Sequence, residues 1–314
     1  MPAPTPVPVE LRDRPFTLAE ARAAGLSSRV LNGRRFVPLL RGVHAPADLE
    51  PTRDVMTDAG FLALPAEAIA SHGTAGHLLG LPVPTTTRPS FWVPQSRNGL
   101  ELAGVDLHRY KERPPSMIVD GRPVTTVGKT FVDLAVLLCL WDLVAVGDAA
   151  VRRRLIELAA LRLRCREPRR RWIRRARWAA SLVREGVDSR AETLLRLLLV
   201  FADLPEPVVG RPAFDAAGNW LATPDLSYPE LKIAIEYDGR HHADDRRQWA
   251  RDVLRVEGMA ADGWIVIVVV ADHLFRHPDA VVDRVHHALI TRGAVGVPRY
   301  PHQNWRRHLL ATQS

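Results

Sequence analysis

From Pro224 to His242 the chain reads Pro-Asp-Leu-Ser-Tyr-Pro-Glu-Leu-Lys-Ile-Ala-Ile-Glu-Tyr-Asp-Gly-Arg-His-His, and this run constrains the fold more than any other. It predicts two strands, Thr223–Tyr228 and Leu231–Tyr237, around a Pro229-Glu230 turn. Side chains along a strand alternate between faces. Leu231, Ile233, Ile235 and Tyr237 therefore form a core face, and Lys232, Ala234, Glu236 and Asp238 share the other. With a two-residue loop, Tyr228 pairs with Leu231 and Asp225 lies opposite Ala234. That register sets Asp225 diagonal to Glu236, with backbones about 7–8 Å apart. A divalent ion fits between such carboxylates.

Three acids on one strand face repel one another unless a cation or a shared proton compensates. Hard oxygen ligands favour Mg²⁺ or Mn²⁺. Such an ion activates water and stabilises charge on a phosphodiester oxygen. Simpler roles fit the same residues: Asp238-Gly239 as a strand-ending turn, and Glu236 as the partner of Lys232 or of an arginine.

The surrounding order is α, three β, then α-β-α. Ser189–Ala202 is a Leu-rich helix, opened by a Ser189-x-x-Glu192 capping box. Pro212–Phe214 is a short strand and Ala216–Asn219 a turn. Asp244–Ala261 is a helix, Trp264–Val270 a buried strand and Pro278–Ile290 a closing helix. Asp252 and Arg255, three apart on a helix, read equally as a structural ion pair or a functional one.

Pro224-Asp225, the turn, and Glu236-x-Asp238-Gly239 with His242 resemble the PD-(D/E)xK nuclease superfamily. More narrowly, they resemble the domain-of-unknown-function family numbered 559, relatives of the Vsr-like very-short-patch-repair endonucleases. The likeness spans Ser189–Leu289 and extends to Glu192, Asp252, Arg255 and Gly263-Trp264. It implies a restriction-endonuclease-like αβββαβ domain. In such a domain Asp225 and Glu236 hold Mg²⁺ or Mn²⁺, with Glu192 as a further ligand. Asp238 stands beside them, and His242 is a general base or phosphate contact. Asp238 replaces the superfamily lysine; Lys232 is on the same strand face and substitutes for it only in part.

Nearer the start, Thr17-Leu-Ala-Glu20 is another capping box, Gly25 stops that helix, and Ser27 or Ser28 caps a second one ending near Gly33. Phe36–His44 reads as a small hairpin. Helix, turn, helix and hairpin outline a winged helix-turn-helix, with Arg29, Arg34, Arg35 and Arg41 where phosphates run. Such modules also bind proteins, so a partner chain is the alternative ligand. Leu18-Ala-Glu-Ala-Arg-Ala-Ala-Gly25 and Arg41-Gly-Val-His-Ala-Pro46 resemble the AbiEi-type antitoxin architecture. Thr125-Thr126 and Thr130-Phe-Val-Asp-Leu134 extend that likeness more weakly. Between these ends, Ala66–Leu81 reads as a helix, Phe91–Pro94 and Val105–Tyr110 as strands, and Thr130–Leu140 and Trp141–Arg154 as helices. His72, His77 and His108 lack metal-ligand spacing and read as structural.

Charge is concentrated. Residues 151–186 carry 13 Arg against Glu157, Glu167 and Glu185, a net +10, whereas the whole chain carries +8. One segment thus accounts for the excess, as in a polyanion binder. On a helix after Pro168, Trp172, Ala176, Ala179 and Val183 share one face, and Arg170, Arg174, Arg177 and Arg184 another. Arg170, Arg174 and Arg177 are therefore candidate contacts to double-stranded DNA; a solvated helix face is the plainer reading.

At 314 residues and 46% hydrophobic, the chain predicts two or more packed cores of mixed α/β class. The expected divisions are a disordered leader (1–14), the winged helix-turn-helix (15–50) and a mixed α+β antitoxin-like region (51–150). An Arg-rich helical linker (151–188), the nuclease-like domain (189–291) and a tail (292–314) follow. No stretch approaches the ~18 apolar residues of a membrane span. The Pro-rich start has no basic residues and no apolar core of a signal peptide. Cys139 and Cys165 form no zinc or disulfide pattern. The cytoplasm is the expected compartment. The expected function is metal-dependent DNA hydrolysis, or else a non-catalytic DNA-binding regulator or antitoxin built on a degenerate nuclease fold.

Overall fold

The two N-terminal helices begin where their caps predict. Strand β1 (Phe16–Thr17) leads into α1 (Leu18–Ala23), where the Thr17 hydroxyl accepts from Glu20 N and the Glu20 carboxylate accepts from Thr17 N at 2.8 Å. Gly25, at φ +80°, turns the chain into α2 (Ser28–Leu31), capped by Ser27. Strands β2 (Phe36–Leu40) and β3 (Val43–Pro46) form the expected hairpin, and β1 adds to it in the order β1-β3-β2. Leu11, Phe16, Ala21, Leu26, Leu31 and Phe36 make one buried core, with the Phe16 and Phe36 rings edge to face at 5.7 Å.

The computed structural model describes residues 7–85, 88–166, 172–239 and 255–309. The chain is of mixed α/β class and divides into two units, 1–134 and 135–314. Besides the small sheet, the first unit contains α3 (Arg53–Ala63) and a five-stranded sheet of order β6-β5-β4-β8-β7. Its strands are β4 (Ile69–Ala70), β5 (Ser90–Pro94), β6 (Asp106–Tyr110), β7 (Ser116–Val119) and β8 (Arg122–Thr125). Gly60 of α3 lies against the Phe91 ring so closely that a Cβ there would stand 2.4 Å from it. The helix expected over Ala66–Leu81 is shorter. Ile69–Ala70 is a buried central strand, and α4 (His72–Leu78) starts only after it, because pairing on both sides of β4 outweighs local helix preference. Helix α5 (Val127–Leu134) closes this unit.

In the second unit α6 (Leu140–Arg152), α7 (Leu158–Arg164), α8 (Ile173–Leu182) and α9 (Arg190–Phe201) pack together. The described parts of the basic segment, 151–166 and 172–186, contain α7 and α8, packed with α6 and α9 in this unit. Leu161, Cys165, Ile173, Ala176, Ala179 and Ala180 are buried. Two of its arginines close helix ends: Arg162 donates to the carbonyls of Ala180 and Val183, and Arg177 to those of Cys165 and Arg166. These are the orphan carbonyls of α8 and α7, so each helix supplies the other's C-terminal cap.

A buried ion network ties α6 to α9. Arg196, fully buried, donates to Asp148 at 3.2 Å, to Glu206 at 3.0 Å and to Leu182 O at 2.8 Å. Beyond it lies a four-stranded sheet, β14-β13-β12-β9. Its strands are β9 (Val208–Val209), β12 (Leu226–Tyr228), β13 (Ile233–Asp238) and β14 (Ile265–Val270), with β13 and β14 parallel. A separate ribbon pairs β10 (Ala213–Phe214) with β11 (Trp220–Ala222). Among the described residues no helix is long and apolar enough to cross a membrane.

Candidate functional site

The connection between β12 and β13 is longer than the two-residue loop expected. Pro229–Leu231 form a turn of 3-10 helix and Lys232 follows in the left-handed region, φ +50°. Tyr228 consequently pairs with Ile233 rather than Leu231, and Leu226 with Ile235. The shift is by two residues, so every side chain keeps its face. Continued one residue past the strand, that register sets Asp225, expected opposite Ala234, level with Glu236. The Asp225 carboxylate carries the ladder one step further by accepting from Tyr237 N at 2.7 Å.

Both faces of β13 are buried at its start, where one core face was expected: Ile233, Ala234 and Ile235 are all inaccessible. Ala213, Ala222, Met259 and Trp264 cover the Ala234 face. Glu236 emerges from that face two residues on, with 13% of its side chain exposed, and Asp238 ends the strand half-buried. The acids therefore stand where the apolar cover stops.

Glu192 joins them from the first turn of α9. Its amide donates to the Ser189 hydroxyl and its carboxylate accepts from Asp188 N at 2.8 Å, so it keeps a capping role. Burial, and the charges of Asp225 and Asp188, hold its carboxyl above the ordinary range against hydrogen bonds from Asp188 N and the Ser189 hydroxyl, which lower it. Burial likewise raises the Asp225 carboxyl; the Tyr237 amide and the Arg255 charge oppose that, and Asp188 adds to it. Glu192 and Asp225, far apart in sequence, are thus electrostatic neighbours in a poorly solvated place.

The cation at this cluster is Arg255. Its guanidinium donates to Glu236 at 3.0 Å. Glu236 was expected to meet Lys232 or an arginine, and in the fold it meets Arg255, which comes from the crossover between β13 and β14. Lys232 takes no part. Its ammonium donates to the Asp262 carboxylate at 2.8 Å and to Asp262 O at 2.7 Å, so Asp262 holds it. Arg170, His242 and Asp252 lie outside the described residues. Among the described residues, no group of three or more His, Cys, Asp or Glu side chains stands at metal-holding geometry.

The basic candidates separate into two kinds. Arg29 on α2, Arg34 before β2, Arg41 in the β2–β3 turn and Arg174 on α8 are exposed. Arg35 is half-buried with its guanidinium 5.9 Å from the Phe36 ring centroid. Arg177 is exposed but engaged with carbonyls, as above. Arg184 of the same expected stripe donates to Ser181 O, Val183 O and Glu206. Packing thus recruits part of the arginine face.

A second polar cluster, in the first unit, is deeply buried. The His72 and His108 rings stack at 3.6 Å, Ser71 lies 3.1 Å from His72 Nδ1, and Lys129 pairs with Asp133 below the Tyr110 ring. Burial, with the charge of Lys129 and the His108 ring beside it, pushes His72 down to about 2. Burial holds His108 below the ordinary range as well, so both rings favour the neutral form.

The fold and site together define a two-unit mixed α/β protein with a half-buried carboxylate–arginine cluster at the end of a parallel strand pair. No family model matches the chain. Two proteins of Mycobacterium tuberculosis, one from each of two strains and both described as uncharacterized, are similar to it. Each is 26% identical over 219 residues, which cover 69% of this chain and 80% of the relative.

Proposed function

We propose that this chain binds double-stranded DNA and that its C-terminal unit is a restriction-endonuclease-like, metal-dependent phosphodiesterase of the PD-(D/E)xK kind. The observation that carries the reading is that Asp225, bonded through its carboxylate to Tyr237 N beside Glu236, and Glu192, raised in part by the Asp225 charge, are both held above the ordinary carboxylate range. A buried acid raised by a neighbouring acid is suited to a bound cation. Their oxygens fit Mg²⁺ or Mn²⁺ in donor chemistry. Asp225 and Glu236 would hold the ion and Glu192 would be an optional ligand. A bound divalent ion supplies charge stabilisation for a phosphoryl oxygen and a more acidic water. Tyr237 N fixes one Asp225 oxygen, and Arg255 orients Glu236. The N-terminal elements support a winged helix-turn-helix, with Arg29, Arg34 and Arg41 toward phosphates.

One observation favours the second reading, a non-catalytic regulator or antitoxin on a degenerate nuclease fold. Arg255 already neutralises Glu236, and Asp238 stands in place of the lysine. A melting titration with Mg²⁺ and Mn²⁺, beside nicking of supercoiled plasmid, separates the two. At ten times the dissociation constant the gain is about 1.4 kcal/mol. Wild type should be stabilised and should nick; Asp225→Asn and Glu236→Gln should lose both, and Glu192→Gln less. Stabilisation without nicking leaves the regulator. No metal response in any of the four proteins, with no nicking, removes the nuclease.

A further inference from the structure

Strand β14 carries β-branched aliphatic residues from Ile265 to Val270 without a break, and no charge, glycine or proline interrupts them. Such a run suits the centre of a sheet. At an edge it is a template for pairing with another chain. Here it stands at an edge: the sheet ends at β14, and β13 is its one partner among the described residues. Ile265 N donates to Lys232 O at 2.8 Å, so Ile265, Ile267 and Val269 turn their main-chain groups toward β13. Val266, Val268 and Val270 turn theirs outward, and Val268 is 36% exposed. The opposite edge, β9 (Val208–Val209), is far shorter.

The strand itself has none of the usual safeguards of an edge, since its register with β13 runs without a bulge and no lysine or proline lies in it. Two arginines of the helix Pro278–Thr291 and its C-cap reach across instead. Arg284 donates to Val268 O at 3.0 Å, and Arg292 donates to Gly263 O at 2.5 Å. Both side chains are exposed, so water would serve those carbonyls equally well, and the bonds add little to the fold. What they do is deny the edge to another strand. A second β14 laid alongside antiparallel, with a two-fold axis at Val268, sets Val268 opposite its copy and Val266 opposite Val270. Every facing pair is then aliphatic, and the outward N–H and C=O groups match. Arg284 occupies the carbonyl at the centre of that pairing, and two such guanidinium groups meeting at the axis repel. We propose that the outer edge of β14 is a surface for a second copy of this chain, and that Arg284 and Arg292 hold it closed. Two-fold pairing uses up both edges, so the assembly stops at two copies.

The test is light scattering after gel filtration of the full chain, with all proteins at equal concentration. Arg284→Ala/Arg292→Ala should have twice the mass of wild type. Arg284→Lys/Arg292→Lys keeps both charges at the edge and should match wild type. Adding Val268→Pro to the alanine variant should restore the wild-type mass. That proline removes only an outward N–H, so the ladder to β13 keeps its bonds. Amide exchange gives a second readout: the N–H groups of Val266, Val268 and Val270 should slow at least about tenfold in the alanine variant relative to wild type. Equal masses for wild type and the alanine variant overturn the proposal. So do a doubled mass that survives Val268→Pro, growth past two copies, and a wild-type mass that Val268→Pro alone halves. An alanine variant that loses its fold shows the arginines to be structural and overturns it as well.

Discussion

Replacing Arg255 by glutamine isolates the question of what balances the acid cluster. The side chain makes a charge-assisted bond to Glu236 at 3.0 Å and lowers the Asp225 carboxyl through its charge. Bonds to charged groups contribute about 1.5–3 kcal/mol. One third of the Arg255 side chain is exposed, so water recovers part of this and about 1–2 kcal/mol is expected to be lost. In a unit of 180 residues that corresponds to a melting temperature lower by about 2–8 °C. The variant also leaves the three carboxylates one positive charge poorer, so Mg²⁺ should stabilise it more than it stabilises wild type. Differential scanning fluorimetry in chelator and in saturating MgCl₂ reads both effects. Lys232→Gln is the control: it breaks the bridge to Asp262 outside the cluster, and should cost stability yet keep the wild-type metal response. An Arg255→Gln protein that melts like wild type in chelator and gains nothing extra from Mg²⁺ would refute the reasoning. It would mean that neither arginine nor metal is needed to hold these acids together.

Arg196→Met should be among the most destabilising single changes, because it strands Asp148 in a dry interior; about 3–5 kcal/mol is expected in denaturant melts, with part recovered by adding Asp148→Asn. His72 is buried neutral with its proton affinity depressed to about 2, so the folded state binds fewer protons than the unfolded chain below about pH 6.5. Its contribution is therefore complete above that pH and is lost as pH falls toward 2, and His72→Asn should flatten the acid limb of a stability–pH curve by up to ~1.4 kcal/mol per pH unit. Arg29, Arg34 and Arg41 changed together to alanine should reduce the slope of log K against log salt for DNA binding by up to about 2.7, and an unchanged slope would leave the N-terminal module as a protein contact.

Much of this was legible in the chain itself. The Thr17–Glu20, Ser27 and Ser189–Glu192 caps start helices where local hydrogen bonding dictates, and alternation placed Glu236 and Asp238 on a common side, with Asp225 joining them only through an assumed two-residue turn. Those features depend on neighbours a few residues away. The register itself depended on a 3-10 turn and a left-handed Lys232, which moved Asp225 from a diagonal position to one level with Glu236. Partners distant in sequence were decided by packing alone. Arg255 reached Glu236, Lys232 turned to Asp262, and Arg177 and Arg162 were drawn to helix ends that only the α7–α8 contact brings near. Ala66–Leu81 gave up its helical start because Ile69 and Ala70 are paired on both sides at the centre of a sheet. The physical distinction is one of range. Dihedral preference, capping and side-chain alternation act within a turn or a strand. Charge pairing and burial act through space, and a linear chain does not disclose which of its 40 arginines a carboxylate will meet.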